Sequence, residues 1–329
     1  MAEKSQHIKF YDEEKLKNIN PETMRLWQKY RIDMELRELS PKTVAAYQND
    51  LEHWWIYIYD HQGNQSVIAL EEDDITEFLY FCKTQGNNSR RMKRRMSSIA
   101  AFYKYLRKRK IITENPMEFI DRPKKDVDVI TQTYLTMEQV ELMRNKLDEA
   151  VSAAGTVAAK HGALMLRLYA FFSLSTMARV NAVSNTTWKQ IDYESRTVND
   201  VIEKEGYVVT LYFSNEVLRY LKELQEFRTQ RNIEDGGFVF ISERDGRPSS
   251  VTTSTLGDWC KRIGRMIGVP TLHAHDFRHS GATLLKNSGM DLEDISSLLN
   301  HAGTDVTNKY YIKADKTKIQ NAKDKFEIF

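Results

Sequence analysis

Apolar residues return every three or four positions along most of this chain, the period of an amphipathic helix. Met24, Trp27, Tyr30 and Met34 mark the first stripe and predict a helix over 24–36. Ser40-Pro41 then supplies an N-cap and a first-turn proline, and Val44, Tyr47, Leu51, Trp54 or Trp55, and Ile58 carry a second helix over 42–59. Asp73-Asp74 opens a third over 75–82, and the Gly86-Asn87-Asn88-Ser89 loop, with Ser89 as cap, leads into a fourth over 90–109. From Ile111 to Thr133 the period is lost: Asn115-Pro116, Arg122-Pro123-Lys124-Lys125 and alternating Asp and Val read as a linker. Thr136 caps the next helix, and helical character continues to about Ala182. A β-rich insert follows. Residues 196–202 and 207–213, rich in Val, Thr, Tyr and Phe, flank Glu205-Gly206 as a tight turn, and 238–241 supplies a third strand. Residues 252–329 return to helices and loops. The fold class is therefore mainly α: a helical N-terminal domain over 1–115, a linker over 116–133, and a mostly helical second domain over 134–329 with a small antiparallel β-sheet, α+β in character.

The length of 329 residues fits two domains rather than one, and 41% hydrophobic against 29% charged residues allows each a packed core. No apolar run approaches the ~18 residues of a membrane helix, and the polar, mixed-charge first fifteen residues are unlike a signal peptide. Cys82 and Cys260, the only cysteines, make neither a disulfide framework nor a cysteine-based zinc site. A soluble, intracellular protein is expected.

The net charge of +2 hides a strong local bias. Between Arg90 and Lys110 there are ten Lys or Arg residues and no Asp or Glu. Met92, Met96, Ile99, Phe102, Tyr103 and Leu106 form the inward stripe of this helix, so Arg91, Arg94, Arg95, Lys104, Arg107 and Lys108 are expected on its surface. Like charges at this density repel, and a polyanion relieves the repulsion while releasing its own counterions. Double-stranded DNA lying against the helix is one reading. A solvated face, balanced by acids such as Glu71 to Asp74, is the other.

Four of the eight histidines fall between residues 273 and 301: His273, His275, His279 and His301. In His275-Asp276-Phe277-Arg278-His279, the i and i+3 positions put His275 and Arg278 on one helix face. A polar surface turn is one reading of the run. A metal site is poorly supported, because a ligand motif such as HExxH is missing and an arginine repels a cation. Arginine beside histidine suits an anion, and phosphate above all.

With Ser175-Thr176-Met177-Ala178-Arg179 upstream and Leu298-Leu299-Asn300-His301 and Tyr310-Tyr311 downstream, the chain resembles the tyrosine recombinases, the phage-integrase family of site-specific DNA recombinases, over nearly its whole length. Ser40-Pro41-Lys42-Thr43-Val44, Tyr47 and Leu51 resemble the start of that family's helical core-binding domain, which adds Lys42 and Thr43 to Arg90, Arg91, Lys93, Arg94, Arg95, Lys104, Arg107 and Lys108 as DNA-binding candidates. The family's catalytic positions fall, in order, on Arg179, Lys204, His275 with Arg278, His301, and Tyr310 nine residues later. Three positions depart from the family's habit: Met177 and Asn300 stand where glycine is common, and Ala182 where an acidic residue is common.

The resemblance implies an enzyme that breaks and rejoins DNA through a 3′-phosphotyrosine, serving integration, excision or dimer resolution. A phenolate attacks phosphorus and conserves the bond energy, so no ATP is needed; the arginines supply the positive charge that a metal would, and no cofactor is expected. Arg179 and Arg278 would hold the non-bridging oxygens, Lys204 would protonate the leaving oxygen, His275 would assist proton transfer, and His301 would donate to the phosphate. Lys204 can equally be an exposed hairpin lysine, and Tyr311 competes with Tyr310, although the spacing from His301 favours Tyr310. The family further implies a dimer on each DNA site, a tetramer in the synapse, a cytoplasmic and nucleoid-associated location, and a C-terminal tail that docks on its own domain or on a neighbouring subunit. A DNA-binding regulator that no longer cuts, and a type IB topoisomerase-like enzyme, are the alternatives.

Overall fold

The caps legible in the sequence reappear as helix starts in a computed structural model that describes residues 11–124, 134–202, 207–244 and 246–299. The chain divides into two compact units between Thr131 and Gln132.

The N-terminal unit holds α1 (Glu13–Leu16), α2 (Pro21–Leu36), α3 (Pro41–His61), α4 (Glu72–Thr84) and α5 (Ser89–Lys108). Ser40 caps α3 through the Thr43 amide at 3.2 Å. Two caps differ from expectation. Helix α4 begins earlier, because the Asp74 carboxylate reaches back to the Glu71 amide at 2.8 Å. Asn88, not Ser89, caps α5, accepting from the Arg91 amide at 2.9 Å, since an Asx side chain one residue ahead satisfies the same orphan donors. The core is aromatic. Trp27 meets Trp55 edge-on at 5.5 Å, Trp54 meets Tyr103 at 5.7 Å, and the Tyr103 hydroxyl donates to the Val67 carbonyl at 2.8 Å. The segment after α5, read from sequence as the beginning of a linker, packs on this core: Met117 is buried, and Ile111, Ile112 and Ile120 are half-buried against it. Isolated apolar residues without a helical period can still anchor irregular backbone.

The C-terminal unit is built around α7 (Val157–Thr176), which is buried along most of its length, as an all-round apolar helix must be. It packs against α6 (Met137–Ser152), α9 (Asn215–Arg231) and α11 (Ala274–Asn287), with α8 (Val180–Ser184), α10 (Thr253–Met266) and α12 (Leu292–Leu298) completing the helices. Thr136 caps α6 in a reciprocal pair with Gln139. The expected hairpin is β2 (Thr197–Ile202) with β3 (Val208–Tyr212), antiparallel, with Ile202 opposite Val208; the short β1 (Ile191–Asp192) extends it as β1-β2-β3. The third strand expected at 238–241 is a correction. Phe238 makes only a single bridge to Thr187, and β4 (Ile241–Arg244) pairs with β5 (Arg247–Ser250) in a separate two-stranded sheet. No helix among the described residues is long and apolar enough to cross a membrane.

Candidate active site and nucleic-acid interface

Helix α7 ends where Met177 takes a left-handed conformation, φ +53°, with its amide bonded to the Ser173 carbonyl at 3.1 Å. The Thr176 hydroxyl, tied to the Phe172 carbonyl, accepts from the Ala178 amide. This reversal makes Arg179 the residue that opens α8: its carbonyl accepts from the amides of Ala182 and Val183 at 2.8 and 3.2 Å. A glycine habit at position 177 is thereby explained, since only glycine takes this conformation without steric cost. Here methionine takes the same turn and buries its side chain with Ala282, Ile295 and Leu299.

Helix α11 brings the second group. His273 caps it through Asp276, whose carboxylate accepts from the His273 amide at 2.8 Å and from its Nδ1 at 2.9 Å, and this carboxylate raises the His273 pKa. Ser280 locks the helix to the start of the unit, donating to the Asp276 carbonyl at 2.5 Å and accepting from the Leu135 amide at 2.8 Å. Arg278, 3% exposed, donates through Nη1 to the Met177 carbonyl at 2.6 Å and through Nη2 to the Leu299 carbonyl. Its guanidinium is therefore fixed by backbone from the ends of α7 and α12.

His275 lies one turn before Arg278. Burial, then the charges of Arg278 and His273, and more weakly Arg179, lower its pKa, so the ring is neutral near pH 7. His275 and Arg278 share one face of α11, and the charge of Arg179, opening α8, also bears weakly on that imidazole. A guanidinium fixed as that of Arg278 is can stabilise charge growing on an oxyanion without reorganising, and a neutral imidazole beside it can take or pass a proton. The sequence placed His279 in the histidine cluster but gave it no role. Its ring stands perpendicular to that of His275 with centroids 4.5 Å apart, and burial pushes its pKa down to about 4. The signal was the i, i+4 spacing of the two rings. Lys204, His301, Tyr310, Tyr311 and the C-terminal tail lie outside the described residues.

The basic helix α5 sorts its charges differently from the expectation. Arg90, Arg94, Lys104, Arg107 and Lys108 are exposed, as is Lys42 at the start of α3; Arg91, Lys93 and Thr43 are half-buried. Arg95 is corrected. It is 1% exposed, donates through Nε to the Asn87 side chain at 3.2 Å, and lies over the Phe78 ring at 5.9 Å. Position 95 lies three after Met92 and four before Ile99, on the inward stripe, so its charge misled where its register did not. Arg107 is engaged by Glu118 at 2.8 Å and Arg94 by Asp50 at 2.6 Å.

A sequence profile described as the phage integrase family matches residues 133–317, and one described as the phage integrase N-terminal SAM-like domain matches 28–110. Tyrosine recombinase XerC of Pediococcus pentosaceus is 26% identical over 295 residues, covering 88% of this chain and 93% of that protein. The XerC of Anoxybacillus flavithermus is 27% identical over 300 residues, covering 90% and 94%. Among solved structures, XerH recombinase bound to palindromic difH substrate in a post-cleavage complex superposes with a TM-score of 0.69 at 19% identity, covering 97% of this chain and 90% of that one. The Tn1549 transposon integrase in complex with circular intermediate DNA gives 0.64 at 20% identity, covering 90% and 98%. These likenesses place the fold.

Proposed function

The chain belongs to the phage integrase family and is a site-specific DNA recombinase, a strand-transferring enzyme, and we propose that Tyr310 is the nucleophile that joins it to the 3′ phosphate of a cleaved strand. The observation that carries this reading is the fixed guanidinium of Arg278, held between the Met177 and Leu299 carbonyls one helical turn from His275. Those donors hold the non-bridging oxygens as charge develops on them, and loss of one such donor costs ~3–4 kcal/mol of barrier. Attack by the phenolate forms the phosphotyrosine and expels the 5′ oxygen, which Lys204 protonates. His275, neutral at pH 7, accepts a proton on the nucleophile's side, and His301 donates to the phosphate. A hydroxyl from a second duplex then reverses the step, releasing the tyrosine with no net change in bond energy.

DNA is the substrate and partner. Two protomers on each site and four in the synapse, acting in the cytoplasm on the nucleoid, complete the reading. Helix α5 and the start of α3, through Arg90, Arg94, Lys104, Lys108 and Lys42, contact the duplex backbone. The test is a nicked duplex from which the short cleaved fragment diffuses away. Incubation in EDTA without nucleotide should trap a protein–DNA adduct that survives denaturing electrophoresis. No adduct on any cognate duplex, from protein that binds it, would sink the reading.

A further inference from the structure

Asp50 on α3 is 0% exposed, whereas its partner on α5, Arg94, keeps 44% of its side chain at the surface. The carboxylate accepts from Nη2 of Arg94 at 2.6 Å through one oxygen and from the Ser98 hydroxyl at 3.0 Å through the other. Residues 94 and 98 are one helical turn apart, so a single buried group grips two successive turns of the basic helix. A salt bridge so lopsided in exposure differs from an ordinary surface pair, in which both ends move.

The charge around it is unbalanced. Asp50 also acts on Arg91 and Arg95, whose pKa values burial lowers. Burial lowers the pKa of the nearby His53, against its hydrogen bond to the Asn49 carbonyl, and the fields of Arg95 and Arg91 lower it further. Asp50 thus stands in the fields of three guanidiniums, and Arg94, hydrogen-bonded to it, is the one that reaches the surface. An anion arriving from solvent meets a net positive cluster whose outermost fork is already oriented.

We infer that Asp50 is a positioning residue for DNA binding: its buried carboxylate fixes the fork of Arg94 at the surface for a backbone phosphate of the duplex. The inference rests on the reading of α5 as a DNA-facing helix. It reverses the simple electrostatic expectation, in which an acid beside DNA only weakens binding. A free arginine must give up its rotamer freedom when it meets a phosphate, and one already held does not.

The experiment measures affinity for a duplex of about 40 base pairs of arbitrary sequence against salt concentration, because backbone contacts are sequence-independent. Arg94→Ala should weaken binding about tenfold and lower the salt slope by about one. Asp50→Asn should weaken it about threefold even though it removes a negative charge, and the double variant should bind no worse than Arg94→Ala alone. Tighter or unchanged binding by Asp50→Asn, or additive losses in the double variant, overturns the inference while leaving α5 on the DNA. If Arg94→Ala changes neither affinity nor slope, the DNA-facing reading at this position falls and the inference with it. Should Asp50→Asn fail to fold, Ser98→Ala removes one tether without changing charge. It should lower affinity at an unchanged salt slope, and undiminished affinity would overturn the inference.

Discussion

The Met177 carbonyl accepts a hydrogen bond from Nη1 of Arg278 at 2.6 Å, joining residues 101 apart in sequence. The acceptor points correctly because Met177 is left-handed, φ +53°. The same residue leans on Gly281, one turn along α11 from Phe277: a Cβ at 281 would sit 2.6 Å from the methionine Cγ and 2.4 Å from the Leu174 carbonyl oxygen. A strained turn, a missing side chain and an anchored arginine are therefore one arrangement, and each can be tested through the others.

Gly281→Ala should destabilise the C-terminal unit by about 2–4 kcal/mol, as overpacking against backbone does. Met177→Gly should not rescue it, because the Leu174 oxygen stays in the way. By itself Met177→Gly relieves the left-handed strain, worth ~1–2 kcal/mol, yet empties a buried site at a cost of ~2–5 kcal/mol. A net loss of stability is expected, even though glycine is common there in the family. Chemical denaturation of the three variants checks both signs.

Acid should weaken the same unit before its carboxylates titrate. Burial holds His279 near a pKa of about 4 when folded, against an ordinary 6.5. The native state excludes a proton that the unfolded chain accepts, so this contribution is whole above about 6.5 and drains as pH falls toward 4. The loss is on the order of 2 kcal/mol by about pH 5. His161, also lowered to about 4 by burial and the charge of Arg228, adds in the same direction. Urea midpoints should fall between about pH 7 and 5. His279→Gln should flatten that slope in part, and an unchanged slope would show that His279 is protonated in the folded state.

Arg95 should matter to the core and not to DNA. Its Nη1 is buried without a partner, and a buried charge replaced by an apolar chain of similar volume is often neutral or stabilising. Arg95→Met should therefore fold at least as stably as the wild type and bind duplex within about threefold of it. Arg95→Glu should unfold the N-terminal unit. A large loss of DNA affinity in well-folded Arg95→Met would return the residue to the interface.

What the sequence disclosed and what it withheld follow from range. Caps and stripes act over three or four residues, so Ser40, Thr136 and the apolar face of α5 placed helices to within a turn. The β2–β3 hairpin was legible from its composition; the β4–β5 pair, whose strands flank Asp245-Gly246, carried a local turn signal too, and the apolar run at 238–241 drew the strand a few residues too early. His275 and Arg278 could be picked out by chemistry and spacing, and Arg179 only through the family resemblance. That Arg278 would be held by the carbonyls of Met177 and Leu299 could not, because backbone acceptors leave no mark on residue identity. Asp50 did leave one: a carboxylate between Tyr47 and Trp54, on the inward stripe of α3, needs a buried partner. Charge drew attention to the basic residues of α5 instead.

The nucleophile separates by a single oxygen. Tyr310→Phe keeps the ring, so folding and duplex affinity should be unchanged, but a phenyl group cannot attack phosphorus and the covalent adduct should vanish. Tyr311→Phe should still form it, because neighbouring side chains on a regular backbone point in different directions and only one can reach the phosphate. Arg278→Ala should bind DNA while cleaving on the order of several hundredfold more slowly, since its larger role is in the transition state. Its two backbone acceptors lose their donor in that variant, so Arg278→Lys is the needed companion. Lysine restores the positive charge but not the planar fork that spans two carbonyls. If the fork matters, Arg278→Lys should stay far below the wild type. Adduct formation on nicked DNA, with peptide mapping of the labelled tyrosine, reads all four variants. A phosphotyrosine mapped to Tyr311 would mean that the nine-residue spacing from His301 does not mark the nucleophile.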